Sequence, residues 1–289
     1  MAASVRSTST SKTFIGAVMG AVLASAMAGP ASSATRPQQI TFPGAQGLTL
    51  QGWLYAQPQN GQQPAVVAMH GCAGLVENGR PSERHEDWGQ RLSALGFMVL
   101  FPDSFTSRGL GPQCKVSDRE VSPARERTDD AKAALAFLGA QSNVKSQAIS
   151  LMGWSNGGST VLYSVEPRHA PHGGPDFAKA VAFYPGCRAP FETGTWKTRM
   201  QLLILIGAAD DWTAAQPCVD LIAAAKAAGA NADIVTYPDA YHDFDHPDLP
   251  VHIVEGLAFT ASGTGRVHTG TNPAARADAI KRVPAYLAR

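Results

Sequence analysis

Apolar positions along the chain follow two spacings, and the two alternate. Runs of strand length recur at residues 39–42, 48–55, 65–69, 97–101, 149–153, 180–184, 202–206 and 234–237. The run at 48–55 carries Leu48, Leu50 and Trp53, and the one at 65–69 is continuously apolar, as in a strand covered on both faces. Between the later runs the spacing becomes helical. Ser82 opens one helix with Trp88, Leu92 and Leu95 as its stripe and Gly96 as its stop. Pro123 starts a second, with Ala131, Ala134, Leu135 and Leu138 on one face. A third carries Cys218, Leu221, Ile222 and Ala225 and ends near Gly229, and Asn272-Pro273 begins a C-terminal one. Strands alternating with helices imply βαβ units, hence an α/β fold with a mostly parallel central sheet and helices on both faces. The two N-terminal runs form an antiparallel lead-in, and Pro102 is expected to stop the strand at 97–101.

The first 34 residues break this pattern. Arg6 and Lys12 precede a charge-free run at 14–28, followed by Ala26-Met27-Ala28 and Ser32-Ser33-Ala34. A basic start, a short apolar stretch and small residues describe a secretory signal, cleaved after Ala28 or Ala34. A run of about 15 residues is short of the ~20 needed to span a bilayer. The expectation is a periplasmic or secreted protein, free of the membrane after cleavage, with a single catalytic domain at 35–289. Of 289 residues 44% are hydrophobic and the formal net charge is +1, which suits one globular domain and gives no surface for nucleic acid. Oligomeric state is left open. Cys72, Cys114, Cys187 and Cys218 include no C-x-x-C pair and fit two disulfides in an exported chain. His169 and His172 lack Cys or carboxylate neighbours at metal-ligand spacing, so neither a metal nor another cofactor is expected.

The chemistry concentrates where strands end. Gly153-Trp154-Ser155-Asn156-Gly157 is a G-x-S-x-G turn between a strand and a helix, which lifts the serine out of the sheet. Asp210 and Asp211 follow the run at 202–206, and His242 follows the last strand. A serine hydroxyl needs a base to become nucleophilic, imidazole titrates near neutrality, and a carboxylate fixes its tautomer. Ser155, His242 and one of the adjacent carboxylates, Asp210 or Asp211, are therefore the expected triad. The amides of Cys72, in the loop after 65–69, and of Asn156 are the expected oxyanion donors. The readings are a carboxylic ester or lactone hydrolase working on a small molecule through an acyl-enzyme, a peptidase or amidase with the same triad, and an inactive binding protein.

From His70-Gly71-Cys72 through Phe101-Pro102-Asp103-Ser104-Phe105, the serine turn, Tyr184-Pro185-Gly186-Cys187, Gly207-Ala208-Ala209-Asp210-Asp211-Trp212 and Tyr241-His242-Asp243-Phe244, the chain resembles the dienelactone hydrolase family of α/β-hydrolases, in its exported, serine-bearing branch. The resemblance implies the α/β-hydrolase fold. It also implies Asp210 rather than Asp211 as the acid, because the family places it three residues after the glycine, here Gly207. The family proper carries cysteine where Ser155 stands and holds a substrate carboxylate with two arginines. Arg108 lies close to the first arginine's place, whereas Asp243, Asp245 and His246 follow His242 in place of the second. In the sheet order that the resemblance implies, the loops bearing Cys72 and Cys114 emerge side by side, as do those bearing Cys187 and Cys218. The implied disulfides are Cys72–Cys114 and Cys187–Cys218.

Overall fold

The computed structural model describes residues 1–11 and 36–289. The apolar run at 14–28 and both expected cleavage sites lie outside them. Residues Ala34–Arg289 form one compact unit. Its main sheet has eight strands: β1 Gln38–Pro43, β2 Thr49–Tyr55, β3 Gln63–Met69, β4 Met98–Asp103, β5 Val144–Trp154, β6 Lys179–Phe183, β7 Gln201–Gly207 and β8 Ala232–Tyr237. Their order is β1-β2-β4-β3-β5-β6-β7-β8. The contacts β1–β2 and β2–β4 are antiparallel, and every contact from β4 onward is parallel. The central strands are buried on both faces, which their unbroken apolar runs require. This is the mixed sheet of an α/β-hydrolase.

Helices α1 Glu83–Ala94, α2 Glu126–Gly139, α3 Asn156–Ser164, α4 Arg188–Glu192, α5 Ala215–Ala227 and α6 Pro273–Ala288 connect and cover the strands. In α1 Trp88 and Leu92 are buried, but Leu95 caps the helix end and is 60% exposed, so the expected stripe loses its last member. The second helix starts at Glu126 rather than Pro123. The residues before it form a turn in which the Ser122 amide donates to the Glu126 carboxylate at 2.8 Å. β4 also runs through Pro102 to Asp103. Beyond Leu100 it has only antiparallel β2 beside it, so a residue without an N–H is tolerated there. A hairpin, β9 His252–Val254 with β10 Val267–Thr269, follows the main sheet and has no counterpart in the expected strands. Among the described residues no helix is long and apolar enough to cross a membrane.

Candidate active site

Ser155 sits between β5 and α3 with φ 52° and ψ −115°, a conformation that side-chain-bearing residues seldom adopt. The amide of Ser155 donates to Phe183 C=O at 2.9 Å, locking the turn onto β6. The flanking glycines are sterically required. A Cβ on Gly153 would lie 2.4 Å from Gly157 C=O oxygen, and one on Gly157 would lie 2.0 Å from that of Met69. The turn therefore nests against the end of β3, beside the loop that carries Cys72.

His242 and Asp210 are fully or almost fully buried, with His242 Nδ1 2.8 Å from Asp210 Oδ2. The other carboxylate oxygen accepts the amides of Trp212 at 2.9 Å and Thr213 at 2.8 Å, so the acid cannot rotate away. Nδ1–H thus donates to Asp210, leaving Nε2 with its lone pair and no hydrogen-bond partner among the described residues. Burial opposes charge on His242, yet the Asp210 carboxylate and its hydrogen bond, with Asp243 nearby, outweigh burial and raise the imidazole above its ordinary value. Tyr184 and Trp212 flank the ring, with centroids 4.4 and 4.6 Å away. Since Tyr184 directly follows Phe183, it links the serine turn to the histidine. Asp211 points elsewhere: it accepts from the amide of His268 at 2.9 Å and lies 2.8 Å from that residue's Nδ1.

On the other side of the turn, Cys72 is buried and joined to Cys114 by a disulfide, and Cys187 is joined to Cys218. Asn156 opens α3, where first-turn amides have no partner within the helix. Arg127, wholly buried on α2, holds both places at once. Its guanidinium bonds Asn156 Oδ1, donates to His70 C=O at 2.7 Å and reaches Ser104 Oγ at 3.3 Å. Burial pushes Arg127 down to about 9, and it stays charged at neutral pH. His70 braces the same loop. Nε2 of His70 accepts from the Ser104 amide at 3.2 Å, so Nδ1 carries the proton and donates to Gly71 C=O at 2.8 Å.

Behind the histidine lies a buried polar chain. Arg84 bonds Asp243, and its Nη1 donates to Tyr184 Oη at 3.0 Å. Tyr184 Oη donates to Asp245 Oδ1 at 2.6 Å, while Asp245 Oδ2 accepts the indoles of Trp88 at 2.7 Å and Trp154 at 2.8 Å. Arg84 and the imidazolium outweigh burial and hold the Asp243 carboxyl far below the usual range. The guanidinium of Arg108 is paired within the protein. Both its Nη atoms bond Asp130, at 2.8 and 2.9 Å, and Nη1 also donates to Ser104 C=O at 2.7 Å. Asp130 is wholly buried and requires a cation, so binding a substrate carboxylate through Arg108 would have to compete with this pair. Arg84, Arg127 and Asp245 were missed from the sequence. Arg84 stands one turn before Trp88 and Arg127 one turn before Ala131, so each is a cation on an otherwise apolar stripe, and that was the available signal.

A groove of about 400 Å³, bordered by Trp212 and Thr213, opens beside the histidine. Among the described residues no group of three or more His, Cys, Asp or Glu is disposed to hold a metal ion. The sequence profile of the dienelactone hydrolase family matches residues 50–289. A search of curated proteins gave no match. Among solved structures, this chain is similar to a putative dienelactone hydrolase from Klebsiella pneumoniae subsp. pneumoniae, with 19% identity, TM-score 0.64 and coverage of 89% of this chain and 99% of that one. A dienelactone hydrolase-like promiscuous phosphotriesterase from metagenomic libraries is 19% identical with TM-score 0.61, covering 88% and 98%. The acylaminoacyl peptidase of Pyrococcus horikoshii is 14% identical with TM-score 0.64, and the match covers 89% of this chain but 42% of the peptidase. These likenesses bear on fold alone. The profile match, extending over most of the chain, makes it a member of the dienelactone hydrolase family.

Proposed function

We propose that this protein is a serine hydrolase of carboxylic esters or lactones that works through an acyl-enzyme. The observation that carries the reading is the state of His242: Nδ1 is fixed on Asp210, Nε2 is buried without a partner among the described residues, and the ring packs on Tyr184, next to the Phe183 carbonyl that holds the Ser155 turn. His242 Nε2 takes the proton of Ser155 as Oγ attacks the ester carbonyl. The amides of Cys72 and Asn156 receive the oxyanion. As the C–O bond breaks, His242 returns the proton to the leaving alcohol oxygen. Water then repeats the sequence on the acyl-enzyme, releasing the acid and restoring Ser155. The two disulfides support export to the periplasm or the medium.

Paired substrates test the bond type. A chromogenic ester should be cleaved at least a hundredfold faster in kcat/KM than the anilide of the same acid. Equal or preferential anilide cleavage would make the chain an amidase on the same site. Turnover of neither, with no labelling of Ser155 by a fluorophosphonate, would leave a binding protein.

A further inference from the structure

The groove beside the histidine has a definite relation to the reaction proposed above. Sheet order sets the loops after β3, β5, β6, β7 and β8 in a row. The oxyanion amides follow β3 and β5, the groove's near wall follows β6 and β7, and His242 follows β8. Trp212 is common to the groove and the histidine, because it lines the one and packs 4.6 Å from the imidazole of the other. Thr213, the next lining residue, has its hydroxyl 3.2 Å from His242 Nδ1. A leaving oxygen must receive its proton from His242, so the group attached to that oxygen lies on the histidine side.

The far wall is an aromatic ring held in place. Phe259 is 53% exposed, and the guanidinium of Arg119 lies 4.6 Å from its ring centroid. Its backbone is pinned on both sides: Ala258 N–H donates to Cys114 C=O at 3.0 Å, and Ala261 N–H to Asp211 C=O at 3.3 Å. The near wall is stiffened where Cys187 is bonded to Cys218. The edge carries one charge of each sign, Arg188 and Glu192, so the groove has no net preference for an ion. Its volume of about 400 Å³ lies within the roughly 300–1,000 Å³ of small-molecule sites.

We propose that this groove is the leaving-group subsite and takes a neutral, bulky apolar or aromatic alcohol between Trp212 and Phe259. The proposal rests on the serine-hydrolase reading. In the acylation step the ester C–O bond breaks as the Ser155 ester forms, and the proton from Ser155 leaves on the released alcohol. The groove therefore acts on acylation and is empty during deacylation.

Two ester series test it, with Phe259→Ala compared to the unaltered enzyme. One keeps the acetyl group and varies the alcohol (ethyl, benzyl, 2-naphthylmethyl). The other keeps ethanol and lengthens the acid from acetate to octanoate. The expected result is a naphthylmethyl-to-ethyl ratio of kcat/KM of about tenfold or more, falling to about 1–3 in Phe259→Ala, as loss of one aromatic contact allows. The acid series should keep its ratios in the variant. Phe259→Trp should restore the alcohol preference, which separates a lost contact from a damaged fold. An alcohol ratio near one in the unaltered enzyme, or a variant that alters the acid series instead, overturns the proposal while the hydrolase reading stands. Failure to cleave every ester, together with failure of Ser155 to take a fluorophosphonate, overturns both.

Discussion

Replacing Asp245 by alanine tests whether the polar chain behind the histidine holds the site together. The carboxylate is wholly buried and accepts from three donors, the indoles of Trp88 and Trp154 and the hydroxyl of Tyr184. Removing it leaves three buried donors unpaired, at about 1–3 kcal/mol each, or roughly 3–9 kcal/mol together. Water entering the vacated space and relief of the buried charge favour the lower half, so Asp245→Ala should cost about 4 kcal/mol. At about 2–4 °C per kcal/mol for a domain of this size, the melting temperature should fall by ~8–16 °C. Asp245→Asn keeps the shape. Its amide oxygen can still accept both indoles, and only the Tyr184 hydroxyl loses its acceptor, for about 1–2 kcal/mol. Catalysis should suffer as well. Trp154 immediately precedes Ser155, and Asp245 lies in the same loop as His242, so the carboxylate ties nucleophile and base to one point. A displacement of ~1 Å there costs up to a hundredfold in rate. Scanning calorimetry alongside ester kinetics reads both effects. A shift under about 2 °C for the alanine variant, or an asparagine variant as damaged as the alanine one, would refute the reasoning.

Further substitutions separate neighbouring roles. Asp210→Asn should lower kcat by about 10⁴-fold, as loss of a triad acid does, and Asp211→Asn by less than tenfold; the reverse ranking in steady-state kinetics would exchange their roles. Because His242 is raised and must be neutral to act as base, the acid limb of kcat/KM should lie above ~6.5, and in Asp210→Asn it should move down. By linkage, the stability that His242 gains from Asp210 is fully present below ~6.5 and is lost as pH rises through the higher folded value, which unfolding measured against pH reports. Arg127→Met should lower kcat by about ten- to a hundredfold with KM little changed, since it loosens Asn156 and the His70 loop without touching substrate; Arg127→Lys should recover part of the loss.

The sequence was legible where one local pattern decides the outcome. Continuous apolar runs located the parallel strands, and the spacing around Ser155 located the turn, because only glycine fits where a Cβ would meet the ends of β3 and α3. The hairpin β9–β10 escaped because three-residue strands, partly exposed, carry no alternation to detect. The pairing of Arg108 was not legible because its partner, Asp130, stands 22 residues further on, and the burial of Asp130 is visible only once α2 is packed. Arg84 and Arg127 are cations on apolar stripes, a conflict that the surrounding hydrogen bonds resolve in three dimensions. Choosing Asp210 over Asp211 depended on the family spacing. The structure supplies the physical difference: one carboxylate turns inward to His242 and the other outward to His268.

The central claim is that Ser155 is the nucleophile, and intact-protein mass spectrometry after treatment with a fluorophosphonate tests it most directly. One adduct per chain should form, peptide mapping should place it on Ser155, and ester turnover should fall in proportion to its formation. Ser155→Ala should take no adduct and should hydrolyse esters ~10⁴- to 10⁶-fold more slowly, with its melting temperature little changed. Residual turnover within tenfold of the unaltered enzyme, or an adduct on any other residue accompanied by loss of activity, would contradict it.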